Sequence, residues 1–164
     1  MITHIFGNPT DANYATKYAE HITSIRRLGS PDIVSVFDET DLPTALIEDT
    51  AYLGSAELQL LTDIKMTASQ VNSIISSDSV KTLNLQYLLI LGTVLKMLPQ
   101  LIQITSEKAG ITTTAYQNID WVKKETYLRN EYSLTIINIT PDTNVTDEGV
   151  ININVAQTSS RVND

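Results

Sequence analysis

The residues of this chain that could do chemistry are two histidines, a few clustered carboxylates, and one stretch where cations alternate with aromatic rings. His4 and His21 lie near the start, and His21 shares a helix side with Tyr14 and Tyr18, with Glu20 beside it. A metal site needs further ligands at helical spacing, and Glu20 alone does not supply them. Acids gather at Asp38, Glu39 and Asp41, and again at Glu48 and Asp49. A glycosidase-type pair needs two carboxyls held rigidly with their pKa values pushed apart. These five fall where loops and helix caps are expected, which is where solvated acids belong. The chain has no phosphate-binding loop, no dinucleotide fingerprint, no H-E-x-x-H and no G-x-S-x-G. It has no cysteine, so neither a disulfide framework nor a thiolate metal site can form. The sequence therefore predicts no catalytic residue, no cofactor and no metal, and not an enzyme.

The alternating stretch is Trp121, Tyr127 and Tyr132 with Lys123, Lys124 and Arg129. Single-stranded nucleic acid is bound by such combinations, bases stacking on rings while cations follow the backbone. The plainer reading puts the rings in the core and the cations on the wet face of the same helix. Glu125 and Arg129 are then an i,i+4 ion pair that steadies that helix. The charge balance favours the plainer reading. Eleven basic residues against nineteen acidic ones leave a net charge of −8, and non-specific nucleic-acid binding needs clustered Lys and Arg.

The elements that carry these residues read as helices. A first helix is expected from Ala12 to Leu28, capped by Thr10 or Asp11. Its apolar stripe is Tyr14, Tyr18, Ile22 and Ile25, and Arg26 and Arg27 lie in its last turn. Ser30 and Pro31 restart the chain, and Ile33 to Phe37 reads as a short helix or a strand. A short helix over 43–47 precedes one from about Ala51 to Ile64, capped by Asp49 or Thr50. Its stripe is Leu53, Ala56, Leu60 and Ile64, and Gly54 inside it suggests the close approach of another helix. Thr67 caps a segment from Ala68 to Ile75, and Ser76-Ser77-Asp78 breaks the pattern.

The central element, about Ser79 to Ser106, is apolar nearly all round from Leu83 to Ile104. Such a helix must be enclosed by other helices, by neighbouring subunits or by lipid. It is long enough to span a bilayer, but Lys96, Pro99 and its Asn and Gln residues argue against that, so no membrane is expected. A chain of 164 residues has little left to enclose it with, which points to self-association. Pro99 lies inside it and predicts a kink. Residues 107–118 read as a polar connector with Gly110 as the helix stop. A last helix runs from about Ile119 to Asn138. Trp121, Leu128, Tyr132, Ile136 and Ile139 share one face, and Lys123, Lys124, Arg129 and Asn130 lie largely off it.

The tail has another character. Val150 to Val155 alternates strictly, with Ile151, Ile153 and Val155 on one side and Asn152 and Asn154 on the other. A lone strand on a helical chain suits addition to a neighbour's sheet edge. The opening residues MITHIFGNPTDANY have neither a basic nor an apolar leader region, so no signal peptide is expected. The expected architecture is mainly α: a small helical bundle with a long central helix, an extended connector loop and a C-terminal β-strand tail. The expected divisions are an N-terminal extension (1–40), a bundle (41–140) and the tail (141–164).

Asp41-Leu42-Pro43, Tyr52-Leu53-Gly54-Ser55-Ala56-Glu57, the long helix, Glu107-Lys108-Ala109-Gly110, Tyr116, Asp120-Trp121, Leu128-Arg129 and Glu131-Tyr132 occur in that order. This order resembles the head–tail connector (adaptor, head-completion) proteins of tailed bacteriophages, over residues 41–138. The resemblance implies a virion protein of the neck, assembled in the host cytoplasm as a ring, usually of twelve copies, beneath the portal protein. Such a ring extends the DNA channel, offers a surface to the stopper or tail-completion protein, and has no catalytic residues. DNA passes through it without specific binding. A net charge of −8 repeated around a ring of about twelve gives on the order of −100 for the whole ring, and a lumen of that sign would let DNA slide. The residues expected to meet a partner or another subunit are Trp121, Tyr127, Arg129, Tyr132, Ile151, Ile153 and Val155. The alternative is a helical single-stranded DNA-binding or replication-accessory module built on the last helix.

Overall fold

The structure, a computed structural model, describes residue 5 and residues 10–31, 36–109 and 119–140. The described part is mainly helical. In chain order it holds α1 (Tyr14–Gly29), α2 (Thr44–Ile47), a π-helical turn (Thr50–Gly54), α3 (Ser55–Asp63), α4 (Ala68–Ser77), α5 (Ser79–Ala109) and α6 (Trp121–Ile137). The expected strand at 150–155 and the expected connector at 110–118 lie outside the described residues.

Local chemistry sets most of the boundaries. At α4, Thr67 accepts from the Gln70 backbone while the Gln70 side chain accepts from the Thr67 N–H, a reciprocal capping box. Asp78 opens α5 by accepting from Val80 N (3.1 Å) and Lys81 N (2.9 Å). Asp120 opens α6 through Lys123 N at 2.9 Å. At the end of α3, Lys65 takes a left-handed φ of 54°, and Met66 N and Lys65 N reach back to the carbonyls of Leu61 and Thr62. That is a Schellman closure with lysine at the position that usually holds glycine.

Several boundaries differ from the sequence reading. Neither Thr10 nor Asp11 caps α1 through its side chain; Asn13 is the cap residue, and the Asp11 carbonyl accepts from Tyr14 N. The single helix expected over 51–64 is divided into the π-helical turn and α3, with Asp49 capping the turn through Ala51 N. Ser76 and Ser77 do not break α4: each donates its hydroxyl to the carbonyl four residues back, at 2.9 and 2.7 Å, and stays helical. Glu107, Lys108 and Ala109 belong to α5, not to a connector. Ser30 closes α1 instead of starting a new element; its backbone and hydroxyl both bond to Arg26 O, and the same hydroxyl accepts from Phe37 N at 2.7 Å.

α5 is the axis of the bundle, in contact with α1, the π turn, α3, α4 and α6. From residue 84 to residue 95 no position on it is exposed. Leu85, Leu88, Leu89, Leu91 and Val94 are fully buried. Ile22 and Ile25 of α1 and Leu128 of α6 meet the C-terminal half of this stretch, and Leu60 and Val71 meet its N-terminal half. The chain thus covers the middle of its own apolar helix, while Leu83 and Ile102 towards its ends stay exposed. Five segments of the same chain pack on that axis. α1, in the N-terminal extension of the sequence reading, shares this core. Ile5, fully buried, joins it too, and its carbonyl accepts from Gln86 Nε2 at 2.6 Å.

Pro99 lies on the exposed side of a helix that continues for ten further residues to Ala109. There the carbonyl deprived of its N–H partner can be hydrated, which explains why the helix tolerates the ring. Gly54 has no other helix against it: an added Cβ would meet only Thr50 of its own turn, at 3.6 Å. The close approach is at Gly92, where a Cβ would sit 3.4 Å from Ala56 Cβ and 3.5 Å from Tyr132 Cε2. Helix Ser79–Lys108 has the length and composition of a membrane span, with 56% of its most apolar window buried inside the fold.

Candidate interaction surface on the last helix

α6 lies against α5 through one face, and the cation–aromatic stretch divides on that packing. Trp121 is partly buried against the main core, with Lys124 Nζ 5.9 Å above its ring. Lys124 was expected to lie off the buried face; instead it turns inward and donates to the Ser30 carbonyl. That contact ties α6 to the end of α1. Tyr132 is half-buried, touches both core clusters, and donates to Asp63 Oδ2 at 3.1 Å. Burial, reinforced by the Asp63 charge, holds its hydroxyl far above the ordinary tyrosine range. Arg129 is exposed and paired with Glu125, at 2.8 Å from Nε and 2.7 Å from Nη2. Tyr127 is 53% exposed, and it stands beside Tyr87, whose hydroxyl lies 3.5 Å from Glu131. Of the four α6 residues expected at an interface, Tyr127 and Arg129 are therefore on the surface, and Trp121 and Tyr132 hold the fold together. Ile151, Ile153 and Val155 lie outside the described residues.

Between α1 and α6, above α5, runs an open groove of about 920 Å³. Leu28, Ile90, Ile119 and Leu128 give it apolar walls. Arg27, Lys123 and Lys124 line it with positive charge, and Asp120 is the one carboxylate among its lining residues. The sequence reading missed this groove because Arg27 was assigned to the helix dipole and Lys123 to a separate wet face. The two come together only because α1 and α6 lie side by side on α5.

The outward face of α6 carries three exposed apolar side chains among polar ones such as Thr126, Asn130 and Ser133. Val122 is 76% exposed, Leu134 62% and Ile137 68%. They recur at spacings that place them on one side of a helix, opposite Leu128 and Thr135, which are buried. Val80 and Leu83 at the start of α5 are also exposed, and so, separately, is Leu58 on α3.

The acidic clusters carry structural contacts. Asp38 Oδ1 accepts from Thr40 N and Asp41 N, at 2.8 and 3.0 Å. Glu39 accepts from Thr44 N at 2.8 Å and Thr44 Oγ1 at 2.7 Å, and pairs with Arg26. These backbone hydrogen bonds hold both carboxyls below their ordinary values. Asp41 pairs with Lys108, and Glu48 accepts from Tyr18. His21 is half-buried on α1, and burial lowers its pKa against the pull of Glu20. Among the described residues no group of three or more His, Asp or Glu is arranged to hold a metal ion. Neither a family model, nor a curated protein, nor a solved structure matches this chain.

Proposed function

We propose that this chain is a structural adaptor of a phage neck: a subunit of a ring, dodecameric by the resemblance, that sits under the portal and continues the DNA channel. It joins the head to the stopper or tail. The observation that carries the reading is α6, which buries one face on its own bundle and leaves Val122, Leu134 and Ile137 exposed on the other. A closed ring is built from heterologous contacts, so each subunit needs two different adhesive patches. The exposed apolar residues of α6 and the exposed Val80 and Leu83 of α5 are the candidates for the two. Large apolar side chains left in solvent suit a face that another subunit covers. The acidic balance of the chain suits a channel that DNA traverses without being held.

The test is to mix the protein with DNA-filled, tail-less heads and image them, measuring the free protein by light scattering alongside. A ring at one vertex, absent with Leu134→Asp/Ile137→Asp, supports the reading. Heads that stay bare, with a protein monomeric in solution, remove it. A second reading, a single-stranded DNA-binding module, is favoured by exposed Tyr127 beside Lys123 and Arg27. It requires oligonucleotide affinity that falls steeply with salt and disappears when Lys123, Lys124 and Arg129 become Ala.

A further inference from the structure

We infer that the groove between α1 and α6 binds a small organic anion, a free medium-chain carboxylate. Its headgroup sits on Arg27 and Lys123, and its alkyl body lies along Leu28, Ile90, Ile119 and Leu128. The volume of about 920 Å³ is that of a small-molecule site, and such sites are mostly apolar with a few convergent polar groups. Helical spacing brings the two kinds of residue together. Arg27 and Leu28 of α1 face Lys123 and Leu128 of α6 across the groove, and Ile90 of α5 lies beneath them. Each wall therefore offers one cation beside one apolar side chain.

Charge selects the headgroup. Arg26 pairs with Glu39 and Arg129 with Glu125, but among the described residues neither Arg27 nor Lys123 is paired with a carboxylate. Both are exposed, in a chain of nineteen acids and a net charge of −8. Lys124 adds its charge from the α6 wall while donating to the Ser30 carbonyl. Asp120, the carboxylate of the lining, is engaged as the cap of α6 through Lys123 N at 2.9 Å. Glu131, about 12 Å further along α6 at roughly 1.5 Å per residue, lies 3.5 Å from the Tyr87 hydroxyl. The groove is therefore positive at one end and meets a carboxylate at the other. A polyanion laid along it would run onto Glu131 and against an acidic protein. A ligand with a single anionic group at one end avoids both. A carboxylate matches the fork of the Arg27 guanidinium, and the apolar walls favour an alkyl body over a polar one. The inference is independent of the neck reading, because it concerns the free subunit.

The test uses the full chain and decanoate, kept below its micelle concentration. Calorimetry should show saturable binding of one decanoate per chain. Nuclear magnetic resonance should show the Ile90, Ile119 and Leu128 methyl signals shifting most. Arg27→Ala/Lys123→Ala should weaken binding about tenfold or more with the helical circular dichroism unchanged, whereas Lys123→Arg should keep the parent affinity. Decanol, which has the same body without the charge, should bind the parent protein about tenfold more weakly. That comparison needs no variant, so it stands even where a variant misfolds. Five results overturn the proposal: no saturation, largest shifts outside the groove, binding that survives loss of both cations in a folded variant, decanol binding as tightly as decanoate, or displacement of decanoate by oligothymidylate at lower concentration, which assigns the groove to nucleic acid.

Discussion

α5 and α6 both carry large apolar side chains on more than one face, yet those side chains are used in opposite ways. Every position from 84 to 95 on α5 is covered by the chain itself. On α6, Leu128 and Thr135 are buried while Val122, Leu134 and Ile137 stand in solvent. An excess of apolar residues is therefore no measure of how many subunits a helix needs. What matters is whether the remaining helices of the same chain reach it. α5 is reached from every side by α1, the π turn, α3, α4 and α6. α6 is the last element of the described bundle and leans on α5, on the end of α1 through Lys124 and on α3 through Tyr132.

The comparison breaks most visibly by truncating its enclosed half. Leu91 is fully buried at the centre of α5. Leu91→Ala removes its contacts and leaves a cavity, so a loss of about 2–5 kcal/mol is expected. Equilibrium unfolding in urea, followed by circular dichroism, measures it as a lower midpoint at unchanged slope. A loss below about 0.5 kcal/mol contradicts the enclosure.

Gly92 sharpens the same point with a change of sign. An added Cβ meets Ala56 and Tyr132 at ordinary contact distances, 3.4 and 3.5 Å. Gly92→Ala is therefore expected to stabilise by up to about 1 kcal/mol through helix propensity. Gly92→Leu pushes further atoms into Ala56 and the Tyr132 ring and is expected to cost about 1–3 kcal/mol. Thermal denaturation of the two variants gives opposite shifts in Tm. If both shift it the same way, α3 and α6 are not in contact with this point of α5.

Tyr132 joins the two helices' environments, because its hydroxyl donates to Asp63 at 3.1 Å. Tyr132→Phe is expected to cost about 1 kcal/mol at neutral pH. The pH dependence follows from the raised pKa, caused by burial and then by Asp63. A raised value means the folded state resists ionisation. The stabilising contribution is complete below the ordinary tyrosine value, about 10, and is lost as pH climbs above it, where the unfolded chain ionises first. Stability from pH 8 to 11 should therefore fall more steeply in the parent than in Tyr132→Phe. Tyr18, raised by burial and by Glu48, remains in both proteins, so some decline persists in the variant.

Much of the bundle was legible in the sequence because its signals are local. The Tyr14, Tyr18, Ile22, Ile25 spacing and Thr67 before Ala68 each specify a face or a cap within a few residues. What was not legible depends on the arrangement of helices. Gly54 looked like a crossing point and Gly92 did not, because only assembly shows which glycine faces Ala56. Lys124 looked like a solvated cation because the Ser30 carbonyl it meets is ninety-four positions away in sequence. The groove was hidden for the same reason, since Arg27 and Lys123 belong to helices joined only through α5. The acids at 38–41 were correctly read as loop and cap residues, because Asp38 and Glu39 act on backbone N–H groups within five positions of themselves.

The smallest effect on the fold should come from the exposed half of the comparison, and it separates folding from assembly. Leu134 and Ile137 are 62% and 68% exposed, so their side chains add little to the stability of one subunit. Leu134→Asp/Ile137→Asp should move the urea midpoint by no more than about 0.5 kcal/mol per site. The helical circular dichroism should be unchanged. If the outer face of α6 is adhesive, the same variant must abolish any concentration-dependent association seen by sedimentation in the parent. A variant that unfolds shows that this face is covered within the subunit, and α6 then becomes a second enclosed helix like α5. A variant that stays folded and still associates moves the contact to other exposed apolar residues, with Val80 and Leu83 the next to test. Only loss of association with the fold intact preserves the contrast between a helix the chain completes by itself and one it leaves for a neighbour.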